Sequence, residues 1–148
     1  MRLIPLPESK LESLRPICER VKTEYSFGDT YSPEQAFLVV QSGYENRRLA
    51  VYVDNVDDIK HCVIMTHSVS MISEGVTAYV LFIYSVPEHR GSQESLDAMK
   101  QIVEGYAQVQ GASKISGSSW VLFNHKSMDA LWKKWGYQPQ ETVYSKFL

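Results

Sequence analysis

A chain of 148 residues and 16.9 kDa is long enough to bury a real core and too short for two ordinary domains, so one domain over residues 1–148 is expected. With 44% hydrophobic and 22% charged residues, the composition is that of a folded protein rather than a disordered or fibrous one. Fifteen basic against seventeen acidic residues give a net charge of −2, too little positive field for a polyanion, which argues against nucleic acid as a partner.

The opening stretch, MRLIPLPESK, has no apolar run of signal-peptide length, and no later stretch approaches the roughly 18 apolar residues of a membrane span. A protein neither exported nor embedded, in the cytoplasm or a virion interior, is expected. Arg2 to Pro5 reads as a short strand. Leu11, Leu14, Ile17, Cys18 and Val21 then recur at three-and-four spacing and predict a helix from about Ser9 to Tyr25. A turn-rich connection from Ser26 to Tyr31 leads to Ser32-Pro33-Glu34-Gln35, which offers an N-cap, a proline at the first helical position and a capping-box partner. The second helix should end near Gly43.

Arg48 to Val53 and Ile59 to Val69 alternate as two strands of an antiparallel hairpin, joined by the polar turn Asp54 to Asp58. Val76 to Val86 is apolar at both parities, the mark of a strand covered on both faces at the centre of a sheet. From Ser92 onward, Leu96, Met99, Ile102, Val103, Tyr106 and Ala107 form one stripe of a long helix, with Gly111 placed as its C-terminal cap. Lys114 to Phe123 predicts another strand, Ser127 to Trp135 a short helix, and Thr142 to Leu148 a closing strand. Cys18 and Cys62, one on a predicted helix and one on a strand, lack metal-ligand spacing and read as reduced core thiols.

Between the central strand and the long helix lies Pro87-Glu88-His89-Arg90-Gly91-Ser92. The first N–H groups of a helix have no partner within it, and the helix dipole favours negative charge there, so this turn reads as an anion cradle of pyrophosphate size. An ordinary strand-to-helix turn with an exposed arginine is the plainer alternative.

The element order β-α-α-β-β-β-α-β-α-β, the turn Val86 to Ser95 and the segment Asn124 to Tyr137 together resemble the GNAT superfamily of acyl-CoA-dependent N-acyltransferases. The resemblance implies an α+β fold, a mixed and mostly antiparallel central sheet flanked by about four helices. In that family the central strand runs into hydrophobic-Pro-x-x-Arg/Gln-Gly-x-Gly-x-Gly/Ala, whose backbone amides hold the CoA pyrophosphate. Val86, Pro87, Arg90 and Gly91 match, whereas Gln93 and Ser95 replace the later small residues. Gln93 adds a side chain where glycine would let backbone approach the phosphates, which weakens the cradle without removing its N–H. Asn124 and Gly136-Tyr137 match the second family motif in kind, with Trp132 where a tyrosine is usual; an indole N–H is too weak an acid to protonate a departing thiolate.

The resemblance implies transfer of an acetyl group from acetyl-CoA to a primary amine by direct attack on the thioester. The cofactor would lie along Tyr84, Val86, Arg90, Gly91, Ser92, Gln93, Glu94, Ser95 and Asn124, with the Val86 N–H at the oxyanion. No Asp or Glu occurs in the central strand, so base duty falls to a water held by Tyr84, Ser119 or His67, and acid duty to a water, Tyr137 or Tyr144. Tyr25, Phe27, Asp29 and Tyr31, in the connection between the first two helices, are the candidate contacts to a small-molecule or protein amine. The alternatives are a non-catalytic protein of the same fold, such as a phage virion component, or a CoA-binding sensor without turnover.

Other features have plainer readings. His61 and His67 share a parity but lack a carboxylate or thiolate, so no metal is expected. Trp132 and Trp135 read as helix packing. Lys126, Lys133 and Lys134 read as an exposed basic face, with contact to the adenosine 3′-phosphate as the sharper option. GNAT-like folds often pair through sheet edges, so a homodimer is an open expectation.

Overall fold

A computed structural model describes residues 1–24, 31–69, 74–118, 125–140, 144 and 146. The chain opens with β1 (Ile4–Pro5) and a 3₁₀ segment (Glu8–Leu14), followed by α1 (Arg15–Glu24) and α2 (Pro33–Glu45). The periodicity predicts one continuous first helix, and Pro16 is why it is divided. Proline has no N–H to give the Glu12 carbonyl four residues back, and that carbonyl instead accepts from Arg15, three residues on. Ser32 caps α2 as its sequence suggests, its side chain accepting from the Gln35 N–H at 3.2 Å.

Three strands follow, β2 (Ala50–Val53), β3 (His61–Val69) and β4 (Val76–Ser85), then α3 (Gln93–Val109), β5 (Ala112–Ser116) and α4 (His125–Lys134). Asp54 shapes the β2–β3 turn by accepting from the N–H groups of Lys60 and His61, each at 3.0 Å. The described strands form a five-stranded sheet in the order β1-β2-β3-β4-β5, antiparallel throughout except for the β4–β5 pair. This is a mixed, mostly antiparallel α+β fold. The closing strand expected over 142–148 lies outside the described residues except at 144 and 146, and so does all of the expected strand beyond Ser118.

Strand alternation sorts the core into two layers. Cys62 and Ile64 face the layer built with Leu11, Ile17, Val21 and Phe37, on the side of α1 and α2. Val63 and Met65 face Ala98, Met99, Val103 and Trp132, on the side of α3 and α4. The most completely covered strand is therefore β3, not β4: Cys62, Val63 and Met65 are fully buried, while Leu81 on β4 is 55% exposed. Among the described residues, β5 pairs only with the first part of β4. Both cysteines are free thiols, and burial raises the pKa of each.

Candidate active site

The β4–β5 pairing runs from Val76↔Ala112 to Tyr79↔Ser116 and stops, although β4 continues to Ser85. The neighbouring β3–β4 register steps from Ile64↔Phe82 to Met65↔Val80, leaving Leu81 unmatched. An extra residue of this kind bends the strand that carries it and turns its end away from a neighbour. Among the described residues, no strand pairs with the β4 edge from Val80 to Ser85. Beside it lies a cavity of about 460 Å³ whose walls include Ile83, Ser85, Leu96, Met99, Leu131 and Trp132.

The Val86 N–H, expected at the oxyanion, donates to the Lys60 carbonyl at 2.9 Å and is committed to the sheet. Alternate residues of an antiparallel strand turn their N–H and C=O to opposite neighbours. With Val86 facing β3, Ile83 and Ser85 turn theirs to the open edge. Ser85 shows this directly, since its carbonyl accepts from Arg90 Nε at 2.7 Å.

The turn itself closes as a 3₁₀ segment (Pro87–His89) and delivers the chain to α3 through Gly91 at φ +84°, a conformation that strains any residue with a Cβ. Ser92 caps α3, accepting from the Ser95 N–H at 3.1 Å and donating its hydroxyl to Ser95 Oγ at 2.7 Å. Ser95 is fully buried, so the small residue usual in the family is replaced here by one whose hydroxyl finds its partners locally. Gln93 does not plug the hollow. Its side chain runs along α3 to Asp97 at 2.7 Å and accepts from Lys134 at 3.0 Å, tying the start of α3 to the end of α4. The N–H groups of Gln93 and Glu94 remain in the first helical turn, and the Glu94 carboxylate pairs with the N-terminal ammonium.

Arg90 is not aimed at the helix start. Its guanidinium meets Glu24, the last residue of α1, at 2.5 Å, and the same carboxylate receives the Tyr84 hydroxyl at 2.5 Å. Tyr84 stacks on Phe82 with ring centres 5.5 Å apart, and burial, then its bond to Glu24, raises the pKa of its hydroxyl. Beside this cluster, Arg20 of α1 meets Glu88 of the turn at 2.7 Å. Glu24 is the residue that sequence reasoning missed. Nothing local marks it, because its tyrosine partner lies 60 positions further on.

Of the other expected site residues, Ser119, Asn124, Tyr25, Phe27 and Asp29 lie outside the described residues. Tyr31 anchors its connection, its hydroxyl donating to the Cys18 carbonyl at 2.9 Å. Tyr144 is 90% exposed and does not line the cavity, so a role as acid there is not supported by its position. Tyr137 packs on Trp132 at 5.0 Å with its hydroxyl buried and without a hydrogen-bond partner, and burial pushes that hydroxyl up to about 12. Trp132 lies in the cavity wall and donates its indole N–H to the Ser118 carbonyl at 3.1 Å. Lys134 lines the cavity, whereas Lys133 pairs with Asp129 at 2.9 Å. No three His, Cys, Asp or Glu side chains gather as a metal-ligand set among the described residues.

The two histidines instead tie β3 to its neighbours, His67 to α3 and His61 to the end of β4. His67 shares a hydrogen bond with the Tyr106 hydroxyl at 2.7 Å, and the buried His61 with Ser85 Oγ at 2.7 Å. Desolvation lowers the His61 pKa below its usual 6.5, opposed by Asp54 and assisted by His89. The unfolded chain then binds a proton that the folded chain refuses, so stability falls as pH drops from 6.5 towards the lowered folded value. Urea midpoints measured from pH 7 to 5 are expected to fall more steeply for the parent than for His61→Gln. Equal slopes would place the acid sensitivity elsewhere.

A parallel pair parted by a bulge, above the start of a helix that follows the bulged strand, is the arrangement of the GNAT fold, and the chain has that fold. No protein-family model and no curated protein matches it. Solved structures do. A probable acetyltransferase superposes with a TM-score of 0.76 at 18% identity, covering 100% of this chain and 97% of its own. A predicted acetyltransferase from Clostridium acetobutylicum, solved with acetyl-CoA, gives 0.73 at 14% identity over 99% and 95%. Ribosomal-protein-alanine N-acetyltransferase from Brucella melitensis gives 0.74 at 13% identity over 100% of both chains. At such identities the likeness establishes the architecture.

Proposed function

We propose that the protein is an N-acyltransferase moving an acetyl group from acetyl-CoA to a primary amine. The observation that carries this reading is the edge of β4, unpaired among the described residues from Val80 to Ser85, beside a cavity of about 460 Å³ that reaches the start of α3. An unpaired edge accepts an amide-bearing arm as an added strand, and the helix start suits a diphosphate. Ile83 and Ser85 offer the edge N–H and C=O groups; Gly91, Gln93 and Glu94 offer the turn. The oxyanion donor moves from Val86 to an N–H of this edge, Ile83 being the one deeper along the strand. Acetyl-CoA supplies the activated acyl group, and the protein supplies alignment.

Calorimetric titration tests the reading. A ligand that binds only the folded state adds about 2.7 kcal/mol of stability at a hundred times its Kd, so acetyl-CoA should raise Tm while CoA-free acetate does not. Gly91→Val, strained at φ +84° and bulky at the cradle, is expected to weaken binding by roughly tenfold or more. No shift at millimolar acetyl-CoA would leave the architecture without this activity. A second reading, a CoA-binding module without turnover, draws on Trp132, whose N–H is already given to Ser118 and cannot serve as an acid. Tm shifts without acylation of any amine would select it.

A further inference from the structure

Three groups from separate elements meet at the end of β4, on the face of the sheet that carries α1 and α2. The Glu24 side chain is only 17% exposed; one oxygen receives Arg90 and the other receives the Tyr84 hydroxyl. The Arg90 guanidinium carbon also lies 5.2 Å from the Tyr84 ring centre. A carboxylate so far withdrawn from water needs partners of this kind. It also stands at the last residue of α1, where the connection to α2 begins, on the sheet face away from α3 and against the turn that carries Glu88 and Arg90.

We propose that Glu24 is the proton acceptor for the incoming amine, and that Arg90 keeps it occupied until a diphosphate at the turn draws the guanidinium away. The inference rests on the acyltransferase reading above. A carboxylate and a diphosphate compete for one guanidinium, which sits on the turn itself and needs only side-chain rotation to change partners. Once released, Glu24 keeps the Tyr84 hydroxyl and has a free oxygen for an ammonium. It takes one proton from R–NH₃⁺. The freed amine nitrogen bonds to the thioester carbonyl carbon as the C–S bond breaks, the second nitrogen proton passes to the departing thiolate, and Glu24 returns its proton to water. The acceptor side is thus completed only after the donor is in place.

The experiment is calorimetric titration of CoA into the parent, Glu24→Gln, Arg90→Gln and the double variant, with thermal unfolding as the folding control and acetyl transfer to a panel of primary amines as the second readout. Glutamine still accepts from Tyr84 but no longer holds a cation. Glu24→Gln is therefore expected to bind CoA about threefold to tenfold more tightly and to turn over about a hundredfold more slowly. Arg90→Gln should bind CoA more weakly, and adding Glu24→Gln to it should leave CoA affinity unchanged. Equal CoA affinity of parent and Glu24→Gln, or undiminished turnover in Glu24→Gln, overturns the proposal. A folded parent that binds no CoA overturns the acyltransferase reading itself, which is a different result.

Discussion

Trp132→Ala is expected to cost about 3–5 kcal/mol of stability, the range for deleting a large buried aromatic, read as a drop in the urea midpoint at unchanged slope. The indole is 8% exposed, packs on Trp135 and Tyr137, and holds the Ser118 carbonyl just after β5. A Cβ built on Gly117 would stand 2.4 Å from the same ring. Gly117→Ala should therefore destabilise by about 1–3 kcal/mol through overpacking, and the two substitutions together should cost less than their sum, because each removes the other's contact. Strict additivity would mean that the ring does not rest on the backbone at Gly117. The family-like position is thus filled by a structural prop for the end of β5.

Tyr84→Phe is expected to slow amine acylation by about tenfold to a hundredfold, within the range of acid–base contributions, while CoA affinity changes little. The hydroxyl's pKa is raised by burial and by Glu24, so it stays protonated across the physiological range and acts as a donor. Its expected effect is on the position of the Glu24 carboxylate, which loses one of two partners. Steady-state kinetics at saturating acetyl-CoA, with the pH profile, checks this. A parent-like rate would remove Tyr84 from the reaction.

The element order through α4 was legible from periodicity and caps because those signals are local. Ser32 and Ser92 each accept the N–H expected of a cap, and Gly91 stands at the positive φ that the turn requires. The break before Pro16 was missed, because the apolar stripe from Leu11 to Val21 runs on across it and predicts a single helix. What could not be read was long-range pairing. Arg90 sits at the motif position, yet its direction is decided by Glu24 and Ser85, contacts that no window around the motif contains. Val86 was misassigned for a similar reason: its N–H is spent on Lys60, and only the β3–β4 register tells which parity of β4 faces the gap. Gln93 departs from the motif in sequence but not in space, since its side chain follows α3 away from the cradle.

The margin of β4, unpaired by any strand among the described residues beyond Tyr79, has a cost outside any reaction. Unsatisfied main-chain donors and acceptors in a row are a template on which a second molecule can extend a sheet, and the flanking Val80 to Ser85 run carries no charge to discourage it. Whatever settles there shields the chain from self-association, so ligand-free stocks should be the ones that cloud on storage.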